Sequence, residues 1–174
     1  MKTNASEIAR WLGEMEIGHA FGIIGAGNIA LWDAIASFGK TQIISVHHEQ
    51  AAAMSSAYYN RVAGRLGSLV LLTTGGGAAN SITGVLAAYM DSIPLLVLSG
   101  NEPSKYLDKA MRVQGVQGFQ VFEACYSLTK DCLQLEPQDN ALEELREAYI
   151  TACGGRPGPV WLDIPRDVQT KEIA

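Results

Sequence analysis

Cysteine is scarce in this chain of 174 residues, and its few cysteines follow no pattern typical of a structural framework. Cys125, Cys132 and Cys153 are odd in number, and none has the Cys-x-x-Cys spacing of metal sites or redox motifs. All three lie in otherwise apolar segments. We therefore expect reduced structural thiols in a cytosolic protein, with no disulfide framework and no metal ligands among them.

Basic clusters and long hydrophobic runs are missing as well. The net charge is -5, and the 13 lysines and arginines form no cluster, which argues against nucleic acid or an anionic membrane as a partner. No uncharged apolar stretch reaches the about 18 residues that a membrane-spanning helix needs, and the amino terminus lacks a signal-peptide core. The composition predicts a soluble, cytoplasmic protein.

Apolar residues are abundant, at 48 % of the chain, and predict a single domain over residues 1–174. Short apolar runs alternate with segments of helical periodicity, as expected of parallel strands covered on both faces. The predicted fold class is α/β, a doubly wound, mostly parallel sheet of about six strands with helices on both faces. The predicted strands are 19–24, 42–46, 68–73, 95–99, 127–135 and 159–164.

The helices are predicted from periodicity and from their start and stop signals. Asn4 followed by Glu7 resembles a capping box, and Gly18 is expected to end this first helix. Between 101 and 118 the pattern lapses into a polar connection, which is a functional candidate because long loops in compact domains often carry function. The other predicted helices are 29–39, 50–62, 78–90, 119–125 and 140–153.

One carboxylate, Glu49, follows a predicted strand directly and precedes a run of small residues. It is expected at the carboxyl end of a parallel strand, where open α/β sheets bind their ligands. With little bulk around it, a carboxyl in that position is poorly hydrated and can exchange protons near neutrality. The alternative is an ordinary acid at a helix start, which complements the helix dipole.

Two glycine motifs each join a predicted strand to a helix. Residues 25–30 fit the G-x-G-x-x-A dinucleotide fingerprint, with Glu49 near the position of its ribose-binding acid, so a dinucleotide-binding Rossmann protein is a rival interpretation. Residues 73–80 contain three successive glycines. Their backbone N–H groups are expected to be accessible to electron-rich ligand atoms, although a tight turn explains them too.

Together these segments resemble the amino-terminal pyrimidine-binding domain of thiamin-diphosphate enzymes, specifically the acetolactate synthase-like group. The resemblance runs nearly end to end, and the order and spacing of its motifs are specific. The segments that carry it are Gly25-Ala26-Gly27, Asp33-Ala34-Ile35, His48-Glu49-Gln50, Thr73 to Asn80, Asp91 to Leu95, Gln114-Gly115-Val116-Gln117, Thr129-Lys130 and Gly155 to Val160.

The resemblance implies a role for each matching residue. The acid equivalent to Glu49 hydrogen-bonds the aminopyrimidine ring of the cofactor and promotes the tautomer that accepts the thiazolium proton, so Glu49 is the expected catalytic residue. Gln117 is expected to face the reacting centre. His48 is expected either to point into the site or to satisfy a local backbone group. The expected cofactor-binding residues are Ile24, Gly25, Ala26, Glu49, Thr74, Gly75 and Asn80.

The resemblance also implies partners that this sequence does not supply. The family's diphosphate-binding domain carries a Gly-Asp-Gly segment that holds Mg²⁺, and this sequence contains none. We therefore expect a diphosphate-binding domain or subunit as partner, a homodimer or tetramer, and either a truncated enzyme, which we favour, or one member of a split enzyme. FAD in the full enzyme is compatible with the resemblance, but no residue here is assigned to it.

The function implied is decarboxylation of a 2-oxo acid such as pyruvate, with transfer of the two-carbon unit to an acceptor carbonyl. A split-subunit 2-oxo acid decarboxylase is the alternative, because the first step is common to both reactions. The isolated domain is expected to be inactive alone and to self-associate through an exposed apolar face.

Overall fold

A computed structural model describes residues 2–107 and 115–173 and has a six-stranded sheet as its central layer. The strand order is β2-β1-β3-β4-β6-β5, and every neighbouring pair is parallel. The strands are β1 His19–Gly22, β2 Gln42–Ser45, β3 Ser68–Leu72, β4 Leu95–Asn101, β5 Asp131–Gln134 and β6 Pro159–Pro165. The helices are α1 Asn4–Glu14, α2 Ile29–Phe38, α3 Glu49–Ala63, α4 Gly75–Ala79, α5 Ile82–Met90, α6 Val121–Ala124, α7 Ala141–Cys153 and α8 Arg166–Thr170.

Helices cover both faces of the sheet, so the predicted doubly wound α/β fold is confirmed. On β3, Leu69 and Leu71 pack with α1, α2, α7 and α8, whereas Val70 and Leu72 pack with α3, α5 and α6. This division follows from the two-residue period of a strand. Strands β3, β4 and β6 are buried along their whole length, as their continuous apolar runs require.

The strand order reverses direction between β1 and β3. The chain passes from β1 to the edge strand β2 through α2 on one face, then returns to β3 through α3 on the other face. The connections that follow β1 and β3 therefore diverge at the carboxyl edge of the sheet. Crevices at such positions are the usual ligand sites of open α/β sheets.

Several predicted boundaries are wrong. Helix α1 ends at Glu14 with Met15 as its C-cap, and not at Gly18 as predicted. Thr3, and not Asn4, caps α1, because its hydroxyl accepts from the Ser6 N–H while Asn4 donates to the Val168 carbonyl at 2.9 Å. The predicted helix 78–90 is two helices, α4 and α5. The predicted strand 127–135 shortens to β5, since a 3₁₀ turn occupies 126–128. Gln114 and part of the 101–118 connection lie outside the described residues.

The three cysteines are free thiols, as predicted. Burial raises the pKa of the Cys125 thiol to about 12, and burial likewise raises the pKa of Cys132. These thiols therefore stay protonated at neutral pH, as inert packing groups do. None of the helices in the described ranges combines the length and the apolar character that crossing a membrane demands.

The two ends of the described chain pair with each other. Thr3 and Glu172 form an antiparallel β-bridge. The Ile173 N–H donates to the Lys2 carbonyl at 3.0 Å, and the Asn4 N–H donates to the Lys171 carbonyl at 3.1 Å. Residues 2–4 and 171–173 therefore hold each other in place.

Candidate functional site

Glu49 is the first residue of α3 and lies just beyond the carboxyl end of β2. It is only 8 % exposed, although it stands at a helix terminus. The preceding His48 is the N-cap, and its Nδ1 accepts from the Gln50 N–H at 3.2 Å. His48 thus satisfies a local backbone group, which was one of its two expected roles, while the carboxyl of Glu49 turns inward.

One oxygen of the Glu49 carboxyl accepts a hydrogen bond, and the other lies beside a glycine. The Asn80 Nδ2 donates to Glu49 Oε2 at 3.1 Å. Oε1 lies beside Gly77, where an added Cβ would stand 3.2 Å from it and 3.0 Å from the Thr73 methyl carbon. Because glycine leaves that volume free, one carboxylate oxygen borders a space that any other residue would begin to fill.

The three successive glycines lie inside α4, which begins at Gly75 and not at Ala78 as predicted. The 3₁₀ turn at 115–118 packs on them so closely that a Cβ on Gly75 would stand 2.4 Å from the Val116 carbonyl oxygen. The Gly77 N–H donates to the Thr74 carbonyl at 3.1 Å. It is therefore not accessible to a ligand, contrary to the sequence prediction. These glycines serve close packing against the 115–118 turn.

Gln117 reaches the site through this packing. Its Oε1 accepts from the Thr74 hydroxyl at 2.6 Å, and Thr74 is itself buried. Gln117 is exposed overall, so its side chain spans from solvent to the amino end of α4. The structure therefore brings Thr74, Gly75 and Gln117 together, and it brings Asn80 to Glu49.

The turn after β1 is fastened to the same neighbourhood. The Gly27 N–H donates to the Thr73 hydroxyl at 3.3 Å, and a Cβ on Gly25 would stand 2.3 Å from that oxygen. The Gly25 N–H donates to the Asn28 Oδ1 at 2.8 Å. Since these amides are used within the protein, they do not form the free pyrophosphate cradle of a dinucleotide fingerprint. Ile24, at 49 % exposure, and the exposed Ala26 present their surface outward.

Thr73 links the two glycine segments, although the sequence prediction did not assign it a site role. Its hydroxyl accepts a hydrogen bond from the Gly27 N–H. Its side chain also lies so close to Gly25 and Gly77 that a Cβ on either glycine would be 3.0 Å or less from it. Its place at the start of the 73–80 motif was the available signal. Asn28 was missed as well: its side chain holds the turn through the Gly25 N–H and the Ile23 carbonyl.

The turn after β1 also contacts strand β4 and helix α8. A Cβ on Gly100, in β4, would stand 1.9 Å from the Gly27 carbonyl oxygen, so the two backbones are in direct contact. The Gln169 side chain also donates to the Gly27 carbonyl, at 2.6 Å. The β1 turn is thereby fixed relative to β4 and α8.

The arrangement offers one buried carboxyl beside a glycine-lined space, with exposed backbone of the 24–26 turn nearby. Such a site can hold a flat nitrogen heterocycle and share a proton with a ring nitrogen. Within the described ranges, no group of three or more histidine, cysteine, aspartate or glutamate side chains is placed to hold a metal ion. The chemistry of these residues is compatible with the aminopyrimidine end of a cofactor.

Comparison with known proteins found a matching family model and similar sequences over nearly the whole chain. A family model described as "Thiamine pyrophosphate enzyme, N-terminal TPP binding domain" matches residues 2–124. The acetolactate synthase large subunit of Buchnera aphidicola (from Acyrthosiphon pisum) is 33 % identical over 98 % of this chain and 29 % of its own length. The isozyme 3 large subunit of Escherichia coli K12 is 33 % identical over 97 % of this chain and 28 % of its own. The chain thus spans under a third of the length of these relatives.

Proposed function

We propose, from the premise that this chain belongs to the thiamine pyrophosphate enzymes as an N-terminal TPP binding domain, that it is the pyrimidine-binding half of an acetolactate synthase-like carboligase. Thiamine pyrophosphate is another name for thiamin diphosphate. The observation that carries the proposal is the buried Glu49 carboxyl, held by Asn80 and facing the space beside Gly77.

Glu49 is proposed as the catalytic residue of this half-site. When bound, thiamin diphosphate supplies a carbon nucleophile and an electron sink for 2-oxo acid decarboxylation. Glu49 would share a proton with a pyrimidine ring nitrogen through Oε1, while Asn80 holds the other oxygen by its hydrogen bond. Because the Glu49 carboxyl is largely shielded from water, a hydrogen bond that it makes to the ring is stronger than the same bond at the protein surface.

The remaining predicted residues are proposed to line the same space. Backbone of Ile24, Gly25 and Ala26 would lie against the pyrimidine, and Thr74 and Gly75 would help to line the same pocket. Gln117 is proposed to face the reacting centre, supported by its hydrogen bond to Thr74 at 2.6 Å. We assign no residue of this chain to the acceptor substrate or to FAD.

A diphosphate-binding domain or subunit is proposed to complete the site and to hold Mg²⁺ with the phosphates. Helix α3, which carries Glu49 at its start, exposes apolar side chains at a four-residue spacing, Met54, Tyr58 and Val62. Helix α5 packs against α3 and exposes Leu86 and Met90. Apolar residues so spaced share a helix face, which suits a protein partner. The free thiols support a reducing, cytoplasmic location.

Product analysis separates the proposed carboligase from a simple 2-oxo acid decarboxylase. The full-length enzyme, given pyruvate, thiamin diphosphate and Mg²⁺, is expected to release CO₂ and a carbon–carbon ligation product. The 174-residue chain alone is expected to show no turnover. Free aldehyde without any ligation product would contradict the carboligase proposal and favour the decarboxylase.

In the isolated chain, where no diphosphate-binding partner covers it, the exposed apolar face of α3 is expected to drive self-association. Tyr58 is 68 % exposed and Val62 is 78 % exposed. Replacing both with lysine should weaken the dimer by roughly thirtyfold, because two such side chains at about 1 kcal/mol each contribute about 2 kcal/mol to the binding free energy. Sedimentation equilibrium measures the effect.

The matched control for this change is Ile150→Lys, since Ile150 is 59 % exposed on α7, which covers the opposite face of the sheet. It should leave the association constant unchanged. Equal weakening by both changes would show that association is non-specific and does not use the α3 face.

A further inference from the structure

Asp163 is a buried acid that no step of the proposed reaction uses. It lies on β6 and accepts hydrogen bonds from three side chains: Ser99 Oγ to Oδ1 at 2.5 Å, Asn101 Nδ2 to Oδ2 at 2.6 Å, and Gln134 Nε2 to Oδ2 at 2.7 Å. These donors come from the two strands that flank β6, and all are neutral. A buried carboxyl with three neutral donors is costly to build and indicates a specific role.

The hydrogen bonds around Asp163 all run towards it. The Trp161 indole N–H donates to Ser99 Oγ at 2.8 Å, and Ser99 donates onward to Asp163. Two amide groups donate from the other side, those of Asn101 and Gln134. Burial raises the pKa of Asp163, and the three donors oppose that shift.

The network extends from Asp163 to the connection that carries Gln117. The Gln134 Nε2 also donates to the Gln120 Oε1 at 2.9 Å. The Gln120 Nε2 in turn donates to the Leu107 carbonyl at 3.2 Å. Gln120 follows the 115–118 turn directly after Phe119, so it ties the carboxyl side of that turn to the sheet and to Leu107.

We propose that Asp163 is a positioning residue, which acts through Gln134 and Gln120 to hold the 115–118 turn on α4 and so to place Gln117 against Thr74. The Asp163 carboxyl accepts one N–H of the Gln134 side-chain amide and so fixes its orientation. The other N–H of this amide can then be accepted only by the side-chain oxygen of Gln120, which fixes the orientation of the Gln120 amide as well. The Gln120 N–H is then directed to Leu107. The meaning of this placement for catalysis rests on the proposed function, but the mechanical link itself does not.

The link is tested by amide hydrogen exchange in the 174-residue chain, without cofactor or turnover. The reporters are the N–H groups of Phe119 and Val121, which donate to the Val116 and Phe119 carbonyls. In Gln120→Ala and in Gln134→Leu, both should exchange about tenfold faster, the factor that corresponds to about 1.4 kcal/mol. The reference is the Ile23 N–H, which donates to the Leu71 carbonyl and should change little.

The outcomes separate a positioning role from general stabilisation. In the double variant Gln120→Ala/Gln134→Leu, the Phe119 and Val121 amides should exchange no faster than in either single variant. The two glutamines act in series in one chain of hydrogen bonds, so removing the second adds nothing. Asp163→Asn should accelerate hydrogen exchange of the Phe119 and Val121 amides more than that of the Ile23 amide. Wild-type exchange at Phe119 in Gln134→Leu would overturn the proposal, as would equal acceleration of all three amides in Asp163→Asn. If Asp163→Asn does not fold, the glutamine variants decide alone.

The matched control is Gln138→Ala. Gln138 is an exposed glutamine that contacts the Glu136 carboxylate, away from the network. Its replacement should leave exchange at Phe119, Val121 and Ile23 unchanged. A tenfold acceleration in this variant would show that loss of any glutamine loosens the turn, and would count against the relay.

Discussion

Glu49→Gln in the full-length enzyme is expected to slow proton loss from the thiazolium carbon of thiamin diphosphate by about 10²–10⁴-fold, the usual contribution of an acid–base group. Glutamine has the shape of glutamate and keeps an oxygen that can accept from the Asn80 Nδ2, as Glu49 Oε2 does at 3.1 Å in the wild type. It cannot give or take the shared proton. The measurement is the rate of hydrogen–deuterium exchange at that carbon, followed by NMR after acid quenching.

Two further measurements make this expectation specific. The urea unfolding midpoint of Glu49→Gln should equal that of the wild type, because no bulk is added or removed. Glu147→Gln, at an exposed position of α7, is the control and should exchange at the wild-type rate. A wild-type exchange rate in Glu49→Gln would falsify the catalytic assignment.

Gly100→Ala is expected to destabilise the fold by about 3 kcal/mol or more, a large part of the about 5–15 kcal/mol that a domain has in total. Its Cβ would stand 1.9 Å from the Gly27 carbonyl oxygen and 2.6 Å from the Asn28 nitrogen. Both contacts are backbone atoms, which cannot rotate away as a side chain does. Either β4 or the β1 turn must move, and the unfolding midpoint in urea should fall accordingly.

Gly18→Ala is the matched control, since nothing lies within 4 Å of the Cβ that it would add. Its N–H, which donates to the Gly67 carbonyl at 2.9 Å, is retained by alanine. The expected change in unfolding free energy is within about 0.5 kcal/mol. A destabilisation by Gly100→Ala no larger than this would mean that the Gly27 backbone tolerates displacement.

The sheet could be predicted from the sequence because its signals are local and strong. The run at 68–73 is apolar at every position but its ends, and the structure buries it on both faces. The position of Glu49 just beyond the carboxyl end of β2 could be predicted because the residue directly follows an apolar run and precedes three alanines. Burial of Glu49 follows from the same small residues, since α3 can then lie close to the sheet.

Details that depend on distant residues could not be predicted. Thr3 and Asn4 are both good helix caps, and only the Val168 carbonyl, far along the chain, draws Asn4 away from that role. Three glycines predict a turn by local preference, yet the 115–118 turn packs on them and favours a short helix. The donors of Asp163 come from two strands, β4 and β5, that lie far apart in the sequence, so no spacing reveals that they meet.

Lys2 and Ile173 leave the domain side by side, joined by a hydrogen bond of 3.0 Å. Polypeptide attached before one and after the other would start from the same spot on the surface. Such a unit can be spliced into a longer protein as a cassette, or rejoined by a short linker into a circular permutant, without stretching any strand.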